Sequence, residues 1–189
     1  MKKLKQLSLI LVLSIGFFSC EAEKTDEQLG NQSFSGQQIF RYEIDGVTKV
    51  TNDVTVNTVG SGITITAIFK DQAAQYKADT FTITLSKLEE GTYVSSIDAF
   101  DLEQGYGITS ATFKHHNVNW LYSTQNIEPN VNNTSYQTGN LVIQSINNQA
   151  KYFQGEFEYN LYAPKTANPN NTIPPISIKN GYFQYIKFN

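Results

Sequence analysis

From Ile39 onward the chain alternates apolar and polar residues with period two, and no segment carries a helical period over a useful length. In an extended strand successive side chains point to opposite faces, so this alternation is the signature of a strand with one buried and one wet face. Thr80 to Ser86 shows it most plainly, with Phe81, Ile83 and Leu85 inward and threonines outward. Ile63, Ile65, Ala67 and Phe69 share a face in the same way, as do Phe40, Tyr42 and Ile44. In Lys151–Ala163 the inward set is Phe153, Phe157, Tyr159 and Leu161, with Gln154, Glu156, Glu158 and Asn160 opposite. Val118–Thr124 reads as a further strand.

Turn signals fall between these runs. Asp45-Gly46 and Asn180-Gly181 are strong short-hairpin dipeptides, because both central residues of a type I′ turn need positive φ. Gly60-Ser61-Gly62, Glu89-Glu90-Gly91 and Asn147-Asn148 punctuate the rest. Roughly ten strands with turns every 8–15 residues argue an all-β sandwich or barrel. Short connections imply antiparallel neighbours and much meander. The expected architecture is an antiparallel β-sandwich with meander connections; the alternative is a closed or half-open β-barrel. The outward Thr, Gln, Glu and Lys do not form the lipid-facing apolar band of an integral outer-membrane barrel.

The first residues are of another kind. Lys2, Lys3 and Lys5 form a short basic stretch, and Leu7 to Phe18 is almost wholly apolar. That run of about 12 residues is too short for a membrane-spanning helix, which needs roughly 20. Basic flank, apolar core and a small residue before a cut describe a secretory signal. Phe17-Phe18-Ser19-Cys20 resembles a bacterial lipoprotein signal, with Phe17 in place of the usual aliphatic residue. The resemblance implies diacylglycerol on Cys20, cleavage before it, and palmitate-type acylation of its new amino group. Several acyl chains, each buried CH₂ contributing about 0.8 kcal/mol, anchor a protein stably on a membrane. Cys20 is the single cysteine, so its lipidation would leave no thiol for disulfides, metal ligation or catalysis.

The expected organisation is a signal peptide over 1–19, a lipidated cysteine and flexible tether over 20–38, and one all-β domain over 39–189. Glu21 to Gln38 is polar and without periodicity, too poor in apolar residues to order itself. Its acids Glu21, Glu23, Asp26 and Glu27 resemble the acidic surface-export signal of lipoproteins in the Bacteroidota. The formal charge of -3 becomes -6 once Lys2, Lys3 and Lys5 are removed, since every acidic residue follows Cys20. A mildly acidic chain without a basic cluster argues against nucleic acid as a partner.

Residues that could carry chemistry are few. His115 and His116 are the two histidines; as strand neighbours they would face opposite ways, and a solvated turn without metal is the expectation. Asp98, Asp101 and Glu103 are a weak calcium candidate, since calcium takes several carboxylates in one loop, but their spacing departs from the EF-hand order. The same three are the only nominees for a hydrolase, and a glycosidase pair would have to face across a shared cleft. No nucleophile elbow, phosphate loop or paired His-Glu motif is present, so no enzyme and no cofactor is nominated. Aromatics are the remaining signal. Trp120, Tyr122, Tyr106 and Tyr136 are candidate ligand-binding residues, because rings beside Asn and Gln suit sugars and protein interfaces. The long loops Gln125–Thr138 and Pro164–Pro175 exceed ordinary connection length.

Gly139 to Asn147, Lys151 to Tyr159 and Ile176 to Phe183 together resemble a pattern in small Bacteroidota lipoproteins of unknown function. In that pattern a G-x-F-x-F-like strand follows a turn and an I-x-I-x-x-G-x-F hairpin closes the domain. Here Gly155, Phe157 and Tyr159 stand in the first motif, with Tyr159 where Phe is common. The resemblance covers about the last fifty residues plus the leader and implies an all-β extracytoplasmic domain, with no catalytic residues to transfer. The expected protein is an outer-membrane lipoprotein, facing either the periplasm or the cell surface, that binds a glycan or an envelope protein. The alternative is a structural component or accessory subunit of a membrane complex.

Overall fold

The computed structural model describes residues 36–70, 77–96, 105–127, 137–170 and 172–189. Cys20, the acidic stretch behind it, Asp98, Asp101, Glu103 and Tyr136 lie outside the described residues. Eleven strands form in chain order: β1 (Ile39–Ile44), β2 (Val47–Thr51), β3 (Val54–Val59), β4 (Gly62–Lys70), β5 (Ala78–Leu85), β6 (Gly91–Ser96), β7 (Gly107–Lys114), β8 (Tyr122–Ser123), β9 (Gln137–Asn147), β10 (Tyr152–Leu161) and β11 (Ile176–Lys187). One 3-10 turn, Thr124–Asn126, is the helical element among the described residues. The chain is all-β.

The strands make one continuous order, β2-β1-β11-β10-β9-β6-β7-β5-β4-β3, with β8 beside β7. The two ends of that order, β2 and β3, are consecutive in the chain and separated only by Asn52-Asp53. The corner is pinned from both sides. Thr51 Oγ1 donates to the Ile68 carbonyl at 2.7 Å, the Ile68 N–H donates to the Asp53 carbonyl at 2.9 Å, and Lys70 pairs with Asp53 at 2.6 Å. The sheet thus curls into a nearly closed barrel. The half-open barrel therefore describes it better than the sandwich. Its weakest join is β6–β7, held by two residue pairs, Tyr93↔Gly107 and Val94↔Ile108, and that pair is parallel. The expected uniform meander misses this junction, because a parallel pair needs a crossover that period-two patterning cannot reveal.

The inward faces are those the alternation selects. Ile63, Ile65, Ala67 and Phe69 of β4, Phe81, Ile83 and Leu85 of β5, and Phe153, Phe157, Tyr159 and Leu161 of β10 are all buried. The interior is filled with rings: Tyr42 meets Phe69 with centroids 4.9 Å apart, Phe40 meets Phe157 at 5.1 Å, and Phe81 meets Phe157 at 5.6 Å. Edge-to-face, tilted and stacked pairs at such separations contribute about 0.5–1.5 kcal/mol each beyond their buried area. A barrel of this type is a packed core rather than a pore.

Asp45-Gly46 forms the expected hairpin turn, with φ of 51° and 74°. Asn180-Gly181 does not. β11 runs straight through it as a twelve-residue strand, and the positive φ of Asn180, 50°, serves a bulge. Opposite β1 the register jumps between Arg41↔Tyr182 and Glu43↔Lys179; opposite β10 it jumps between Phe157↔Gly181 and Tyr159↔Ile178. An extra residue on one strand bends it and sharpens its twist. Gly181 is required there, since a Cβ would run into the ring and the carbonyl of Phe157.

Candidate functional site

Of the aromatics singled out in the sequence, Trp120 and Tyr122 meet, Tyr106 lies apart from them, and Tyr136 is outside the described residues. Tyr122 is buried and paired opposite Phe113 near the end of β7. Trp120 is half-buried against the core, its ring 6.4 Å from that of Tyr122, with its Nε1 buried and unpartnered among the described residues. Tyr106 is exposed but precedes β7 at the opposite end of that strand. Trp120 and Tyr122 therefore fill space rather than line a cleft. The strand expected over Val118–Thr124 shrinks to Tyr122–Ser123, because Lys114 Nζ folds the preceding segment by donating to the carbonyls of Val118 at 2.6 Å and Trp120 at 3.4 Å. Most of the loop Gln125–Thr138 is outside the described residues. The loop Pro164–Pro175 is organised by buried Asn168, whose Oδ1 accepts from the Ile173 N–H at 2.9 Å while its Nδ2 donates to the Ile173 carbonyl at 3.0 Å.

Two other places concentrate polar chemistry. The first is a groove on the outer face of β9, β10, β11 and β1, a recess of about 680 Å³. The bulge at Asn180 bends β11 beneath it. Its polar lining comes from Arg41 and Glu43 on β1, Asn140 on β9, Glu156 and Glu158 on β10, and Asn180 and Tyr182 on β11. Asn180 Nδ2 donates to Glu43 Oε2 at 2.9 Å, which ties the bulge to the neighbouring strand. Burial first, and then the field of Tyr185, push the Tyr182 hydroxyl above its ordinary range. Three carboxylates against one guanidinium leave the groove acidic, so it suits a neutral or cationic ligand and repels an anion. Glu156 and Glu158 read in sequence as merely the wet side of a strand, and Asn180 as a turn residue. Asn180 and Glu43 stand 137 positions apart, so no local motif could announce their meeting.

The second place is the mouth of the barrel beyond the ends of β5 and β7. β7 stops at Lys114, so His115 and His116 lie in a turn, closed by the Val118 N–H donating to the His115 carbonyl at 3.2 Å. Freed from strand parity, their rings stack with centroids 4.5 Å apart and planes 22° from parallel. Buried Asp79 joins them across the fold. Its Oδ1 accepts from the His116 backbone N–H at 3.0 Å and contacts His116 Nδ1 at 2.7 Å. The expectation of a solvated turn fails in one respect: the side chains of His116 and Asp79 are only 18% and 10% exposed. Asp79, His115 and His116 each place a ligand-type atom within 4.8 Å of the others. A recess of about 430 Å³ lined by Thr48, Lys49, Phe69, Lys70, Asp79 and His116 opens onto them.

Comparison of the chain with protein-family models, with curated proteins and with solved structures returns no match.

Proposed function

We propose that this protein is a lipid-anchored, extracytoplasmic binding module that holds a neutral glycan in the outer groove of its barrel. The single observation that carries the ligand assignment is the groove's lining. Two primary amides, three carboxylates, a guanidinium and a tyrosine ring face one recess of about 680 Å³. Planar amide and carboxylate groups offer the paired donors and acceptors that sugar hydroxyls take up, and a ring beside them supplies an apolar face. The excess of carboxylate favours neutral sugars over uronic or sulfated ones. The filled interior speaks against a carrier that encloses its ligand, since the barrel axis is occupied by Phe40, Phe81 and Phe157. The membrane assignment rests on the leader and Cys20 alone.

A glycan screen with the full chain in detergent tests the reading. Saturable binding of neutral oligosaccharides, lost in Asn140→Ala and Tyr182→Ala variants of unchanged thermal stability, is the expected outcome. No saturable binding, or binding that both variants retain, would remove it. Intact mass measurement tests the anchor: loss of residues 1–19 with acyl mass on Cys20 is expected, and an unmodified Cys20 contradicts it.

A further inference from the structure

We infer that Asp79, His115 and His116 form a binding site for a single zinc-class divalent transition-metal ion at the mouth of the barrel. Imidazole and carboxylate are the donors such ions take, and three protein ligands leave one position open to the adjoining recess. The side chains come from two elements far apart in sequence, yet their ligand-type atoms lie within 4.8 Å of one another. The centre of a triangle with 4.8 Å sides lies about 2.8 Å from each corner, against the roughly 2.0–2.2 Å of zinc–nitrogen and zinc–oxygen bonds. Closing that gap takes a small ring rotation, which half-buried His115 can make. The cost is local: His115 Nδ1 now accepts from the Asn117 N–H at 3.1 Å, and either that bond or the tautomer must change when the ring turns out of its stack.

Two further observations point to an ion rather than to a plain polar contact. Asp79 is a buried carboxylate whose two hydrogen bonds both fall on Oδ1, with none on Oδ2 among the described residues. The Tyr42 hydroxyl is buried, unpartnered among the described residues, and close enough to Asp79 to feel its charge. A water on the open metal position would give that hydroxyl a partner. Of the two lysines on the recess, Lys70 is already neutralised by Asp53 at 2.6 Å. Lys49 remains as a cation on the rim, so the affinity expected is micromolar rather than that of a closed structural site.

The test uses the full chain in detergent, without a histidine tag, stripped of metal and titrated with Zn²⁺ and separately with Co²⁺. His115 and His116 are the chain's only histidines, so imidazole ligation can arise nowhere else. One equivalent of Zn²⁺ bound with micromolar affinity is expected, with visible d–d absorption on Co²⁺ loading and a thermal midpoint that rises with zinc. His116→Ala and Asp79→Asn each remove a proposed ligand and should weaken binding at least tenfold, no less than the loss of an outer-shell partner does. Should Asp79→Asn fail to fold, His115→Ala, at a half-buried position in the turn, gives the same readout. No stoichiometric binding, or binding that His115→Ala and His116→Ala leave within twofold, would overturn the site.

Discussion

Two buried tyrosines show how far single side chains can be argued. Tyr159 donates to Thr109 Oγ1 at 2.6 Å, since the proton of Thr109 is committed to the Thr84 carbonyl at 3.1 Å. Tyr42 makes no such bond among the described residues. Tyr159→Phe should therefore cost about 1 kcal/mol, the net contribution of a typical buried hydrogen bond. Tyr42→Phe, which removes an unsatisfied hydroxyl, should stabilise the metal-free protein by about 1 kcal/mol. Urea midpoints of the two variants check both signs. Burial pushes both hydroxyls well above the ordinary tyrosine range, and Asp79 adds to the effect at Tyr42. The unfolded chain, titrating near pH 10, gives up these protons first. Stability from this source is thus whole below about pH 10 and falls as pH rises towards the folded values, by up to ~1.4 kcal/mol per pH unit per tyrosine. Midpoints at pH 9 and pH 11 read the slope; a flat profile contradicts it, and the Phe variants should flatten it.

His115 and His116 mark the limit of local reading at this scale. Strand parity sends adjacent side chains apart, but parity holds only while the strand lasts, and β7 ends one residue earlier at Lys114. Their partner Asp79 stands 37 positions before His116. Nothing in the local pattern around either histidine could have named it.

At the scale of elements, alternation placed the inward residues of β4, β5 and β10 correctly, because a one-residue slip would turn every apolar side chain outward. It could not separate a turn from a bulge at Asn180-Gly181, since both use the same left-handed conformation at the first residue. The surroundings decide: β11 has partners on both sides across that point, β1 and β10, so the chain keeps its direction. Two glycines, one in β10 and one in the β1–β2 turn, give a sharp test. A Cβ at Gly155 would run into the Val142 carbonyl and would lie only 2.7 Å from the Phe183 ring. Gly155→Ala should destabilise by about 1–3 kcal/mol through overpacking. By contrast, a Cβ at Gly46 meets nothing within 4 Å. Gly46→Ala should cost about 1 kcal/mol, the penalty of an L side chain at φ 74°. Thermal unfolding of the two variants checks the order.

At the largest scale, the described residues form a nearly closed barrel that spends its interior on packing and carries its polar groups on the outer face and at the mouth. That division was partly legible: the polar outward faces argued against a lipid-facing barrel, but the recess on one of them involves a bulge and a contact across 137 residues. With rings such as Phe40, Phe153, Phe157 and Phe183 filling the axis, no lipophilic probe should enter. Fatty acids and retinoid-type ligands should leave tryptophan fluorescence and the thermal midpoint unchanged. Binding should register instead on the outer face. Amide chemical-shift mapping of the isotope-labelled protein against a neutral oligosaccharide tests this most directly. Shifts that saturate and cluster on Arg41, Asn140, Glu156, Glu158, Asn180 and Tyr182 are the predicted result. Saturable shifts confined to the barrel interior or to the face of β3, β4 and β5, or no shifts at all across neutral sugars, would contradict the account.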